Sequence, residues 1–155
     1  MTDNPFLGTW RLISWENRDA GGQLGYPLGP DALGYITYSA DGYIFAQIMA
    51  AGRATLATQN PFGGADAEAA AAARSHMSYC GKYEVRTGGE NDEVVHRVAI
   101  SDFPNWVGGE QLRFYKFEGE KLILSAPPFQ TKKGEITTFL IWERSGTISI
   151  SSSIG

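Results

Sequence analysis

Few side chains in this sequence are equipped for proton chemistry, and they stand on separate segments. His96 titrates near physiological pH, so it suits a general acid or base or a donor to a ligand carbonyl. A core imidazole bonded to a tyrosine is the structural alternative. Arg113 offers a planar fork that can anchor a carboxylate or stabilise an enolate. As a plain strand residue it would instead carry its head to solvent at a rim. Tyr79 and Tyr83 can donate phenolic protons to a ligand oxygen, or simply fill space with their hydroxyls turned toward water. The trio His96, Arg113 and Tyr83 is the candidate catalytic set: one group to move a proton and two to steady developing negative charge.

Other reactive types fall short of a pattern. Cys80 is the single cysteine and adjoins Gly81, which suits a structural thiol better than a nucleophile. Two histidines and one cysteine on different elements give no metal-ligand spacing, and no metal is expected. Gly63-Gly64 lacks the Lys-Ser/Thr and the preceding strand of a phosphate loop. His76 follows an Ala-rich run, where a cation at the end of a helix favours the dipole and needs no ligand. A haem would require His96 as its axial ligand and is a minor variant; the expectation is no cofactor.

Composition narrows the field further. A chain of 155 residues with 43% hydrophobic and 19% charged residues has enough apolar surface for one globular domain without a disulfide staple. The formal net charge is −4 and the 13 basic residues are scattered, Lys132-Lys133 being the tight pair, so nucleic acid is an unexpected partner. The start MTDNPFLG has no basic stretch followed by an apolar core, and no apolar run reaches the roughly 20 residues that span a bilayer. A cytoplasmic protein with no membrane partner is expected. The sequence leaves the oligomeric state open, a homodimer being compatible with it.

The elements that must position these side chains are strands. Eight segments have β-branched or aromatic enrichment and Gly, Asp or Pro at their ends: Gly8–Asn17, Leu33–Ser39, Tyr43–Ala50, Ser78–Arg86, Glu93–Ser101, Gln111–Glu118, Lys121–Ser125 and Ile136–Arg144. Asp41-Gly42, Gly88-Gly89 and Gly119-Glu120 mark hairpin turns, and Lys132–Glu135 a turn before the last strand. Arg18–Ala32 reads as a loop. From Ala65 the run ADAEAAAAARSHM predicts a short helix, with acids early and bases late, lying against one opening of a barrel. Consecutive antiparallel strands must hide two edges, and closure removes both. The expected fold is therefore all-β, an eight-stranded antiparallel up-and-down barrel with one short α-helix between the third and fourth strands. The rival is an open sheet packed on the helix.

Gly8-Thr9-Trp10 near the start and Trp142-Glu143-Arg144 near the end resemble the lipocalin pairing in which an Arg lies across a Trp ring and closes one barrel end. Between them stand Leu33-Gly34-Tyr35-Ile36-Thr37-Tyr38, Asp41-Gly42-Tyr43, Tyr79-Cys80-Gly81-Lys82-Tyr83-Glu84-Val85, Val95-His96, Phe103-Pro104-Asn105-Trp106-Val107-Gly108 and Gln111-Leu112-Arg113. Together these resemble the lipocalin-like domain proteins of bacteria and fungi over residues 6–145, leaving 146–155 as a tail. The resemblance implies a small barrel with an internal cavity and says little about activity. Arg97 stands where a second histidine is usual in such families, which puts any role needing a histidine pair in doubt.

Alternation then nominates the lining. Trp10, Leu12 and Ser14 share a face, as do Tyr79, Gly81 and Tyr83, then Val94, His96, Val98 and Ile100, then Arg113, Tyr115 and Phe117, and Leu140, Trp142 and Arg144. In the third strand the aromatic face Tyr43, Phe45, Gln47 and Met49 is taken as inward. Gln47, Tyr43, Phe45, Tyr79, Trp106, Tyr115 and Trp142 are thus the candidate ligand-binding residues, Trp106 as a lid. An aromatic wall with a few polar groups suits a small hydrophobic molecule. The function expected is a binding barrel for an apolar metabolite, catalytic by cofactor-free isomerisation, cyclisation or dehydration. The alternatives are a carrier or sensor, and a solid barrel serving as an interaction module.

Overall fold

The computed structural model describes residues 3–146; the tail from 147 on, expected as a loose end or an edge strand, lies outside the described residues. The strands are β1 (Gly8–Asp19), β2 (Leu24–Gly25), β3 (Leu33–Tyr38), β4 (Tyr43–Met49), β5 (His76–Arg86), β6 (Glu93–Ser101), β7 (Glu110–Glu118), β8 (Lys121–Ser125), β9 (Phe129–Thr131) and β10 (Gly134–Arg144). Neighbours run β2-β1-β3-β4-β5-β6-β7-β8-β10-β9, and β1 pairs again with β10 from Trp10↔Arg144 to Asp19↔Ile136. That last pairing closes the ring, so the eight longer strands form an antiparallel barrel without a free edge. Short β2 and β9 only lengthen hairpins on β1 and β10.

Local chemistry accounts for the elements. Asp41-Gly42 turns β3 into β4, with Gly42 at φ 94°, a value that favours glycine. The helix α1 spans Asp66–Arg74, between β4 and β5. None of its residues is buried. Glu68 accepts from the backbone N–H of Ala65 and Ala57, and Arg53 donates to Ala72 O and Ser75 Oγ, so side chains at its two ends tie it down. His76, expected at the helix end, is instead the first residue of β5, with its Nδ1 2.9 Å from Asp102 Oδ2. The Lys132–Glu135 turn is tighter than expected, since β10 already begins at Gly134.

Three departures from strict alternation decide which side chains face inward. The β3–β4 hairpin pairs Tyr38 with Ile44, and cross-strand partners share a face. Tyr38 is buried, so Ile44, Ala46 and Ile48 point in, while Tyr43, Phe45, Gln47 and Met49 point out. The aromatic face of β4 is therefore the outer one, with Phe45 50% exposed. In β1 the register with β10 shifts between Leu12 and Ser14. Beyond that bulge Trp15, not Ser14, stands opposite the buried Leu140. A second shift falls where Cys80-Gly81 of β5 faces Val98–Ile100 of β6, and Ile100 turns outward, 68% exposed. A Cβ at Gly81 would lie 1.7 Å from Arg97 O, so only glycine permits this close approach.

Candidate functional site

One end of the barrel is solid. The N-terminal segment folds into it, and Phe6, fully buried, packs edge-on against Tyr115 and Phe117 and tilted against Tyr38. Trp10 closes the floor, its indole N–H donating to Phe6 O at 2.9 Å. The Arg144 guanidinium lies 4.0 Å from the Trp10 ring centre and donates to Pro5 O and Leu7 O. Tyr83 donates to Ser39 O at 3.0 Å and accepts from Asn4 Nδ2 at 2.7 Å.

Toward the other end the interior opens into a cavity of about 210 Å³. Aliphatic side chains make most of its wall, among them Ile36, Ile48, Leu124 and Leu140. Trp15, Trp106 and Trp142 supply its aromatic surface, and Tyr79, Gln111, Arg113 and Thr138 its polar groups. Trp106 sits in the short 3₁₀ turn Pro104–Trp106, its ring edge-on to Tyr79 at 5.9 Å and to Phe103 at 5.2 Å. A larger groove of about 320 Å³ runs past Leu33, Tyr35, Gln47 and Met49, but these are outward residues, so it belongs to the barrel's outer surface.

His96 lies one layer behind the cavity wall. It is fully buried, with Nδ1 2.6 Å from the Tyr79 hydroxyl and Nε2 2.8 Å from the Tyr38 hydroxyl. Burial, helped by the nearby Arg113 charge, pushes its pKa down to about 3. The imidazole is therefore neutral and presents one donor and one acceptor. The same burial raises both tyrosines, Tyr38 the more, with Arg113 pulling each the other way. The result is an uncharged Tyr38–His96–Tyr79 relay linking the solid end to the cavity. Arg113 donates to Leu112 O and to Gln111 Oε1, and it forms no ion pair among the described residues.

The sequence candidates thus divide. Arg113, Tyr79, Trp106 and Trp142 line the cavity together. His96 touches it only through Tyr79. Tyr83 and Tyr115 belong to the solid end, because the incoming Phe6 and Asn4 occupy the space in front of them. Tyr43, Phe45 and Gln47 are on the outside for the register reason given above. Trp15 was missed because its placement depends on the β1 bulge, for which the local sequence carries no sign. Ile36, Ala46 and Ile48 were legible as an equally regular alternation, opposite to the aromatic one. Among the described residues no group of three His, Cys, Asp or Glu side chains is placed to hold a metal ion, and no helix is long and apolar enough to cross a membrane.

A family model described as the lipocalin-like domain matches residues 7–145. The chain is also similar to the 4'-hydroxy-3'-methoxypropiophenone carrier protein ppsC of Aspergillus oryzae, at 33% identity over 104 residues, 64% of this chain and 94% of that protein.

Proposed function

The chain belongs to the lipocalin-like domain family, and from that premise we propose that it binds a small, largely apolar molecule inside its barrel and carries it unchanged. The observation that carries this reading is the cavity itself, with one end sealed by Trp10 and Arg144 and a wall that is mostly apolar. An apolar cavity of about 150 Å³ is already enough for benzene, so about 210 Å³ suits a single substituted ring. The likeness to a protein named as the carrier of a propiophenone supports the same size class and the carrier role. A solid barrel acting only as an interaction module would have no such hollow. A haem is poorly served, because both ring nitrogens of His96 are already hydrogen-bonded to tyrosines.

A catalytic version of this site rests on the relay. Isomerisation, cyclisation or dehydration would take its proton from Tyr79, with His96 replenishing it and Arg113 steadying negative charge on the substrate. Tyr83 has no part in that scheme, since its hydroxyl is engaged at the solid end. The carrier reading is preferred because the imidazole does not reach the cavity and is held neutral far below physiological pH.

The test is native mass spectrometry of gently purified protein, followed by incubation with the ligand it releases. A co-purifying small molecule that raises the melting temperature and returns intact supports the carrier. A ligand that returns chemically altered, with the change lost in His96→Gln, replaces the carrier by the enzyme. Protein that holds no small molecule and is stabilised by no single-ring probe overturns both.

A further inference from the structure

The cavity wall has more hydrogen-bond donors than acceptors. Three buried side-chain nitrogens lack a partner among the described residues: Trp15 Nε1, Trp142 Nε1 and Arg18 Nε. Two of the three belong to cavity-lining residues. The third lies elsewhere, in a guanidinium that stacks on Phe139 and pairs with Glu16. An indole nitrogen can only donate. A buried donor left unpaired costs about 1–3 kcal/mol, and the third buried tryptophan, Trp10, does have its acceptor, in Phe6 O.

The relay adds a further donor. Two tyrosine hydroxyls and one neutral imidazole hold three protons between them, and two hydrogen bonds consume two. The third proton belongs to whichever tyrosine accepts from the ring, and neither hydroxyl has another partner among the described residues. With the Nδ1 tautomer that free O–H is on Tyr79, which lines the cavity. Arg113, also on the wall, brings a positive charge without a carboxylate. Against these donors the wall offers little to accept: Gln111 Oε1 is taken by Arg113, and the Thr138 hydroxyl is bonded to Asn17 Oδ1.

Resting on the binding reading above, we propose that this cavity selects its ligand by acceptor oxygen, taking single-ring aromatic carbonyl compounds through the indole N–H groups of Trp15 and Trp142 together with Tyr79 and Arg113. The apolar wall and the volume select the ring. The surplus donors then select a carbonyl or ether oxygen over the hydrocarbon of the same shape, and they penalise a ligand that brings only donors.

Isothermal titration with a matched pair tests this. Propiophenone and propylbenzene differ in whether an oxygen stands beside the ring. The native protein is expected to bind propiophenone at least tenfold more tightly. In Trp142→Phe or Trp15→Phe that preference is expected to fall severalfold, and in the double variant toward parity. Propylbenzene affinity should move by less than threefold throughout, which reports that the cavity persists. Equal affinity of native protein for the two compounds overturns the inference while leaving the binding reading intact. So does a preference that survives in the double variant. Binding of neither compound overturns the binding reading and this inference with it.

Discussion

The two ends of the barrel are built from the same kinds of side chain and finish them differently. At the solid end Trp10, Tyr83 and Arg144 all reach acceptors or donors supplied by the N-terminal segment and the β3–β4 turn. At the hollow end Trp15 and Trp142 keep indole N–H groups with no partner among the described residues, and Arg113 keeps its charge unpaired. Packing that serves stability completes its polar groups, because an orphaned one costs about as much as a mutation. Where such groups are left open beside a cavity, their partner comes from outside the chain. His96 sits on the boundary, sharing one tyrosine with each end.

The sharpest way to break this contrast is to truncate one tryptophan at each end. Trp10→Ala is expected to cost about 3–5 kcal/mol, since it empties a filled floor and frees both Phe6 O and the Arg144 guanidinium. Trp142→Phe is expected to cost about 1 kcal/mol or less, because the lost N–H had no partner to lose. Urea denaturation of the two variants measures both. Equal losses would show that the two ends are energetically alike.

The boundary residue sharpens the picture through pH. Folding lowers the His96 pKa from 6.5 to about 3, so between these values the unfolded chain holds the proton and the native chain does not. The stability that comes from keeping the imidazole neutral is fully present above pH 6.5 and drains away as pH falls toward 3. The expected slope is up to about 1.4 kcal/mol per pH unit within that window. In His96→Gln this component is absent, so the stability difference between native and variant protein should shrink on acidification. A difference constant from pH 7 to 4.5 would mean that His96 is not held neutral by burial. The smallest effect belongs to neither end: Phe45→Ser, on the outer face of β4, should change stability within about 0.5 kcal/mol and leave propiophenone affinity unchanged. A large loss of affinity would place Phe45 at the ligand after all.

Particular residues show how far local reading reaches. Asp41-Gly42 announced its hairpin because the positive φ there is a property of the dipeptide. The Trp10–Arg144 closure was legible as a motif and is present as a stacked pair. Arg113, Tyr79, Trp106 and Trp142 were nominated and do share one cavity. The failures fall where a strand has two plausible faces or a bulge. In β4 the aromatic and aliphatic sets alternate equally well, and the choice between them is made by Tyr38 across the hairpin. Trp15 could be placed only from its pairing with Leu140, 125 positions away in the chain.

The sequence by itself therefore determined the strands, their turns, the helix and the closed barrel order, because alternation, turn chemistry and helix propensity act over a few neighbouring residues. Only the tertiary structure decided which face of β4 points inward, where β1 shifts register, and that Phe6 fills one end and leaves the other hollow. Those outcomes depend on contacts between segments far apart in the chain, and such contacts set register and packing without leaving a mark on either segment alone.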